Sequence, residues 1–280
     1  MQTPFRQVDV FSSEPLLGNP VAVVHDADGL SDATMAAFAR WTNLSETTFL
    51  LSPTHPEADY RLRIFTPGGE LPFAGHPTLG SAHAWLEAGG TSRGENIVQE
   101  CGVGLVSLRR DAGGSLAFAA PPLHRSGPVA DPDVDRILRA LRITRPDVVA
   151  AQWIDNGPGW VAVLLRDADA VLGLTPDFAA FDDLKIGVVG SYPEGGDCAV
   201  EVRGFAPDAG VPEDPVTGSL NAGLAQWLTK DGVLPPSYTS SQGTVLGRRG
   251  RVRIDTDASG QIWVGGESVT TVLGTCTVGD

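Results

Sequence analysis

The hydrophobic positions of this chain fall in short runs separated by polar, turn-forming stretches. β-Branched and aromatic side chains gather at 5–11, 21–24, 47–51 and 60–65, which predicts four strands. Ser31 stands where an N-cap belongs, ahead of a helix over 32–41, and a second helix over 77–86 stops before Gly89-Gly90. Short runs at 97–101, 104–109 and 115–119 read as a meander of strands. The second half follows the same plan. It predicts a helix over 133–141, strands over 148–154, 160–165, 186–190 and 198–205, a helix over 220–228 ending before Gly232, and strands over 251–255, 261–264 and 269–277. Pro121-Pro122 through Pro132 reads as the linker, dividing the chain into domains 1–124 and 125–280. The last strand is also free to pack back on the first domain. With about two strands for each helix, the fold class is α+β rather than a doubly wound parallel sheet.

The two halves echo each other. Val21-Ala22-Val23 returns 140 positions later as Val161-Ala162-Val163, and Arg63-x-Phe65-x-Pro67 returns at the same spacing as Arg203-x-Phe205-x-Pro207. Gly218 answers Gly75, and Gln242 answers Gln99, each 143 positions on. A constant spacing with one three-residue slip in a loop points to duplication of a half-chain unit, and the period is too long for a solenoid. The echo centres on two predicted helix starts, led by Gly75 and Gly218. A helix N-terminus carries unpaired N–H groups and about half a positive charge. Pro77 suits a first turn, and Gly75 and Gly218 let a ligand approach the backbone. Ser219 reads equally as an N-cap. Either start can hold an anion such as a carboxylate; two aimed at one cleft could stabilise negative charge on a carbon acid. Neither is a nucleotide cradle, since no Gly-Lys-Ser/Thr ending and no complete GxGxxG occurs.

Composition narrows the class. At 280 residues and 42% hydrophobic, the chain can bury one large core or two moderate ones. A formal net charge of −14 argues against a nucleic-acid partner, which needs a surplus of Lys and Arg. Cys101, Cys198 and Cys276 form no CxxC or Cys/His ligand spacing, so they read as buried small residues in a reducing compartment. The start shows no basic segment followed by an apolar core, and no apolar run reaches the roughly 18 residues of a membrane span. The expectation is a cytoplasmic protein that does not engage a membrane.

Few side chains stand out as acids or bases. Glu46 precedes the apolar strand Phe49-Leu50-Leu51, and at the 140 spacing its counterpart is Ile186, so its role belongs to one half alone. A carboxylate there is ordinarily a solvated surface group. In an apolar cleft its pKa would rise, making it a usable base near neutral pH. His76 sits beside a glycine-led helix start, and structural and functional readings both fit it. His83 lies seven residues on and reads as core or surface. Asp214 precedes Pro215 and reads as a loop-closing acceptor or, with Ser219 on the same loop, as part of a hydrogen-bonded chain. No triad is implied, because Ser219 lies in no GxSxG elbow.

Together these segments resemble the PhzF-like isomerase/epimerase family of phenazine biosynthesis. The resemblance rests on Val8-Asp9-Val10-Phe11, Gly18-Asn19-Pro20-Val21-Ala22-Val23, Asn43-Leu44-Ser45-Glu46-Thr47, Phe65-Thr66-Pro67 with Glu70-Leu71-Pro72-Phe73-Ala74-Gly75-His76-Pro77-Thr78, Glu213-Asp214-Pro215-Val216-Thr217-Gly218-Ser219, and Ser241-Gln242-Gly243 with Gly247-Arg248. It implies the diaminopimelate-epimerase-like fold: two pseudo-symmetric domains, each a barrel-like, mostly antiparallel sheet around a central helix, with the active site in the cleft between them. It implies that Glu46 takes a proton from one carbon and returns it to another without cofactor or metal. His76 and Asp214 match polar partners of the site, and Gly75, Gly218 and Ser219 match the helix starts that grip substrate. Asn19 and Gln242, in the matching segments, are expected to bind substrate too. In related epimerases and racemases, cysteines occupy the two helix-start positions. His76 and Ser219 stand there here, which disfavours two-cysteine racemisation. The expected reaction is a proton shift on a small carboxylated substrate like a dihydro-hydroxyanthranilate. An epimerase or racemase pairing Glu46 with His76 or Asp214 is one alternative, and a non-catalytic small-molecule binding protein is another. A homodimer is implied by the resemblance alone.

Overall fold

The computed structural model describes residues 2–279. The apolar runs of the first half form β1 (Gln2–Val10), β2 (Asn19–Val24), β3 (Thr47–Leu51) and β4 (Tyr60–Thr66), then a short β5 (Gly69–Leu71), β6 (Ile97–Cys101), β7 (Gly104–Arg110) and β8 (Leu116–Ala119). α1 (Asp32–Thr42) starts at Ser31, whose hydroxyl accepts the Thr34 N–H at 3.3 Å, and ends at Asn43 in the left-handed region. α2 (Gly75–Glu87) is buried along most of its length. β1 lies antiparallel to β2, β2 parallel to β3, and β3 antiparallel to β4. β4 then pairs antiparallel with β5 and parallel with β6, and β6 antiparallel with β7. α2 packs on β1, β2, β3, β4 and β8, as a central helix should. Gly80 permits the approach: a Cβ there would lie 2.4 Å from Val21 Cγ1.

The second stretch contains β9 (Arg125–Pro128), α3 (Asp131–Leu141), β10 (Val148–Asp155), β11 (Trp160–Leu165), α4 (Ala168–Leu172), β12 (Lys185–Ser191), β13 (Val200–Ala206), β14 (Val211–Asp214), α5 (Gly218–Leu228), β15 (Ser237–Gln242), β16 (Gly250–Thr256) and β17 (Ile262–Gly266). β11 runs parallel to β12, β12 antiparallel to β13, β13 antiparallel to β14 and parallel to β15, and β15 antiparallel to β16. This repeats the order from β2 to β7, with α5 standing where α2 stands. Gly223 takes the place of Gly80, since a Cβ there would lie 2.6 Å from the Ile154 carbonyl oxygen. β11 shows why its sequence is a continuous apolar run. Val161, Val163 and Leu165 enter one hydrophobic cluster, while Trp160, Ala162 and Leu164 enter another. Both faces of the strand are covered, so no polar alternation survives.

The final strand, β18 (Ser268–Thr277), pairs antiparallel with β1 from Gln2 opposite Thr277 to Val10 opposite Ser268. Two compact units result: residues 2–119 with 265–279, and Ala120–Val264. The division differs from domains 1–124 and 125–280, whose outer ends, Met1 and Asp280, lie outside the described residues. The first boundary falls five residues earlier, and the tail leaves the second unit because the outer backbone groups of β1 take it as their hydrogen-bonding partner. Among the described residues no helix is long and apolar enough to cross a membrane.

Several elements escape prediction from the sequence. β15 reads Ser237-Tyr238-Thr239-Ser240-Ser241-Gln242, with no apolar alternation, yet Ser240, Ser241 and Gln242 are buried. α2 and α5 begin at Gly75 and Gly218, two residues ahead of the predicted starts, so each leading glycine is itself the first helical residue.

Candidate active site

In each unit the approach to the central helix is tied down by the same motif. Arg63 lies over the Phe65 ring, 5.1 Å from its centroid, and forks onto Glu70 at 2.7 and 2.6 Å. Arg203 lies over Phe205 at 5.0 Å and forks onto Glu213 at 2.8 Å through both nitrogens. The repeated Arg-x-Phe-x-Pro run thus joins β4 to β5 and β13 to β14, the strands that lead to Gly75 and Gly218. The second fork is buried, with side-chain exposures of 3% and 9%, and Arg203 also donates to the carbonyls of Val171 and Leu174.

A buried glutamine then holds each helix start. Gln99 donates to Thr78 Oγ1 at 3.1 Å and accepts from the Tyr60 hydroxyl at 3.1 Å. Gln242 accepts the Thr217 N–H at 3.0 Å and Asn221 Nδ2 at 2.9 Å, and donates to Thr217 Oγ1 at 2.9 Å and the Asp214 carbonyl at 3.1 Å. These four bonds occupy both amide atoms of a side chain with no exposed surface. Gln242 therefore supports the α5 start from beneath. Asn19, the first residue of β2, is likewise fully buried.

In the first unit the fold brings Glu46 and His76 together. Glu46 Oε2 lies 3.4 Å from His76 Nε2, and the side chains are 16% and 5% exposed. Glu46 is placed by the turn between α1 and β3, and His76 by the first turn of α2, directly after the buried Gly75. Burial pushes the imidazole pKa down to about 3, and a hydrogen bond to the Pro20 carbonyl opposes this only weakly. The contact is accordingly not an ion pair: His76 is neutral over the physiological range. His83, seven residues on, contacts Thr270 Oγ1 at 3.2 Å and belongs to the packing of α2.

The second unit gathers Asp214, Gly218 and Ser219 at the α5 start. Asp214 Oδ2 accepts from the Thr217 hydroxyl at 2.6 Å. Ser219 is not the cap. Thr217 holds the N-cap position, without a side-chain capping bond, and Ser219 is the second helical residue. Its hydroxyl accepts from the Trp160 indole N–H at 3.0 Å, and its carbonyl accepts from Asn156 Nδ2 at 2.8 Å. Trp160, Asn156 and Thr217 were not singled out from the sequence. A signal for one of them existed: Trp160 lies 140 positions beyond Pro20.

Neither helix start carries a thiol. Cys101, Cys198 and Cys276 are all free, and burial raises the pKa of each. Among the described residues no group of three His, Cys, Asp or Glu side chains could hold a metal ion. The available chemistry is a carboxylate beside a neutral imidazole in one unit. In the other it is a carboxylate, a hydroxyl and the N–H groups of a helix start.

Comparison with known proteins agrees with this layout. Residues 8–274 match the family described as phenazine biosynthesis-like protein, PhzC-PhzF. Antisense-enhancing sequence 1 of Schizosaccharomyces pombe is 39% identical, over 96% of this chain and 97% of its own. A trans-2,3-dihydro-3-hydroxyanthranilate isomerase of Pseudomonas aeruginosa is 36% identical, over 91% and 90%. The crystal structure of a PhzF-family protein from Enterococcus faecalis superposes with a TM-score of 0.82 at 26% identity, covering 99% of this chain and all of that one (100%).

Proposed function

The chain belongs to the phenazine biosynthesis-like PhzC-PhzF family, and from that premise we propose that it moves a proton between carbons of a small, cyclic, carboxylated substrate. An isomerase or epimerase is the class its relatives establish. Within that class we assign Glu46 as the acid/base and a dihydro-hydroxyanthranilate-like compound as the substrate, the compound class acted on by the Pseudomonas aeruginosa relative.

The observation that carries this reading is the buried contact between Glu46 and a neutral His76. Glu46 Oε2 removes a proton from the substrate carbon, and the electron pair left behind spreads into the ring diene and the carboxylate. The proton then sits on a carboxyl group that is 16% exposed beside an imidazole that is 5% exposed. Little water reaches the pair, which favours return of the same proton to a second carbon over exchange with solvent. Within the second unit, the N–H groups at the α5 start and the Ser219 hydroxyl suit an anionic group such as a carboxylate. Asp214, held by Thr217, suits an amino or hydroxyl hydrogen of the substrate. No step calls for a cofactor or a metal ion.

Isomerisation of trans-2,3-dihydro-3-hydroxyanthranilate in deuterium oxide tests the proposal. Glu46→Gln should lower kcat by about 10²- to 10⁴-fold, the usual contribution of a positioned acid/base, with an unchanged circular-dichroism spectrum. Unchanged turnover would remove Glu46 from the mechanism. Full incorporation of solvent deuterium with inversion at one carbon would instead favour the epimerase reading, with a second group facing Glu46 across the substrate.

A further inference from the structure

The repeat puts Pro20 and Trp160 at one equivalent place, near the starts of β2 and β11. Each meets the side chain that follows the leading glycine of its own unit's central helix. For Pro20 that side chain is His76, and for Trp160 it is Ser219. The two contacts have opposite polarity. Proline has no N–H, so Pro20 offers only its carbonyl, which accepts a ring N–H of His76. An indole N–H can only donate, so Trp160 gives a hydrogen bond to Ser219 Oγ at 3.0 Å.

The consequences at the two helix starts differ. A neutral imidazole has a single N–H. His76 Nε2 makes no hydrogen bond, so the N–H that meets Pro20 is on Nδ1, and Nε2 is left as an acceptor 3.4 Å from Glu46 Oε2. A hydroxyl has a single hydrogen. With Trp160 donating into its oxygen, Ser219 keeps that hydrogen for an acceptor elsewhere. Asn156 grips the Ser219 carbonyl at 2.8 Å, so the turn bearing the hydroxyl is itself held.

We propose that Pro20 and Trp160 are positioning residues that set the two helix starts to opposite hydrogen-bond senses, His76 as an acceptor beside Glu46 and Ser219 as a donor toward substrate. The inference rests on the function proposed above. It adds the physical origin of the asymmetry: a duplicated scaffold gives two like helix starts, and a carbonyl in one unit against an indole in the other makes one suited to protons and the other to oxyanions.

A double-mutant cycle tests the Trp160 arm, with trans-2,3-dihydro-3-hydroxyanthranilate as the probe. Trp160→Phe keeps an aromatic ring and removes the donor. It should raise KM about two- to ten-fold, the range of one neutral hydrogen bond, with kcat largely held. Ser219→Ala should raise KM at least as much, and Trp160→Phe should then add nothing in the Ser219→Ala background. Additive effects would show that Trp160 acts through packing and would overturn the proposal. An unchanged KM in Ser219→Ala would remove Ser219 from the site and with it the functional reading on which this arm depends. Nuclear magnetic resonance of the free protein needs no substrate. The Trp160 indole proton should shift and exchange faster in Ser219→Ala, and the ring nitrogens of His76 should report the Nδ1–H tautomer from pH 5 to 8. An indole signal indifferent to Ser219, or an Nε2–H tautomer, would overturn the inference whatever the substrate proves to be.

Discussion

At the scale of single residues, histidine shows how much burial decides. His76 and His25 have ordinary pKa values near 6.5 when exposed, and here they fall to about 3 and about 4. Burial is the main cause in both; for His25 the Arg6 guanidinium, 3.0 Å away, adds to it. The sign follows directly. Between pH 6.5 and about 4 the unfolded chain binds protons at these positions that the folded chain refuses. Stability is therefore highest above pH 6.5 and falls as the pH drops through this window, by up to about 1.4 kcal/mol per pH unit for each histidine. Urea titrations from pH 7 to 4 should show the loss, and His76→Asn should flatten its slope. The kcat/KM profile should also lack a limb assignable to His76 between pH 5 and 8. From the sequence His76 was legible as a candidate because a glycine precedes it at a helix start. Its charge state was not, because the side chains and backbone that exclude water from it are distant in the chain. Gln242 makes the same point, since its position in a motif did not reveal the four protein hydrogen bonds that hold it under the α5 start.

Among the secondary elements, the two Arg-x-Phe-x-Pro runs carry one architecture at two degrees of burial. Arg203 and Glu213 are almost sealed, whereas Glu70 is 43% exposed and Arg63 is shared with the exposed Asp32. Arg203→Met should leave a buried carboxylate without its partner and cost about 3–5 kcal/mol. Arg63→Met should cost no more than about 1 kcal/mol, because water can solvate Glu70. Chemical denaturation of the two variants gives the comparison, and equal losses would contradict the burial argument. The strands with β-branched and aromatic runs and the helix capped by Ser31 were visible in the sequence, since their signals are local. β5, β14 and β15 were not. The first two are three and four residues long, and the third is polar, stabilised by neighbouring strands rather than by an apolar stripe.

For the whole molecule, the decisive feature is the return of β18 to β1. A chain shortened to end at residue 264 loses the partner of all nine β1 residues. Hydrogen exchange on that chain should show β1 and β2 losing protection while β11, β12 and β13 retain theirs. Equal loss in both sets would mean that the two units do not hold their structure separately. The repeat itself was legible, through Val21-Ala22-Val23 and Arg63-x-Phe65 and their counterparts, and the strand pairings from β2 to β7 and from β11 to β16 follow one order. The end of the second unit was not legible, because a strand's sequence specifies which face it buries but not which edge it joins.

The sequence by itself determined the α+β class, the paired helix starts with His76 and Ser219 at them, and the carboxylates Glu46 and Asp214. These follow from local propensity, from a spacing that repeats, and from the chemistry that each side chain carries wherever it lies. Only the tertiary structure decided that Glu46 meets a neutral His76, that Gln242 is a support, that Trp160 points its N–H at Ser219, and that the last strand belongs with the first. Each of these depends on groups far apart in the chain, where burial and the direction of a hydrogen bond exist only after the chain has closed on itself.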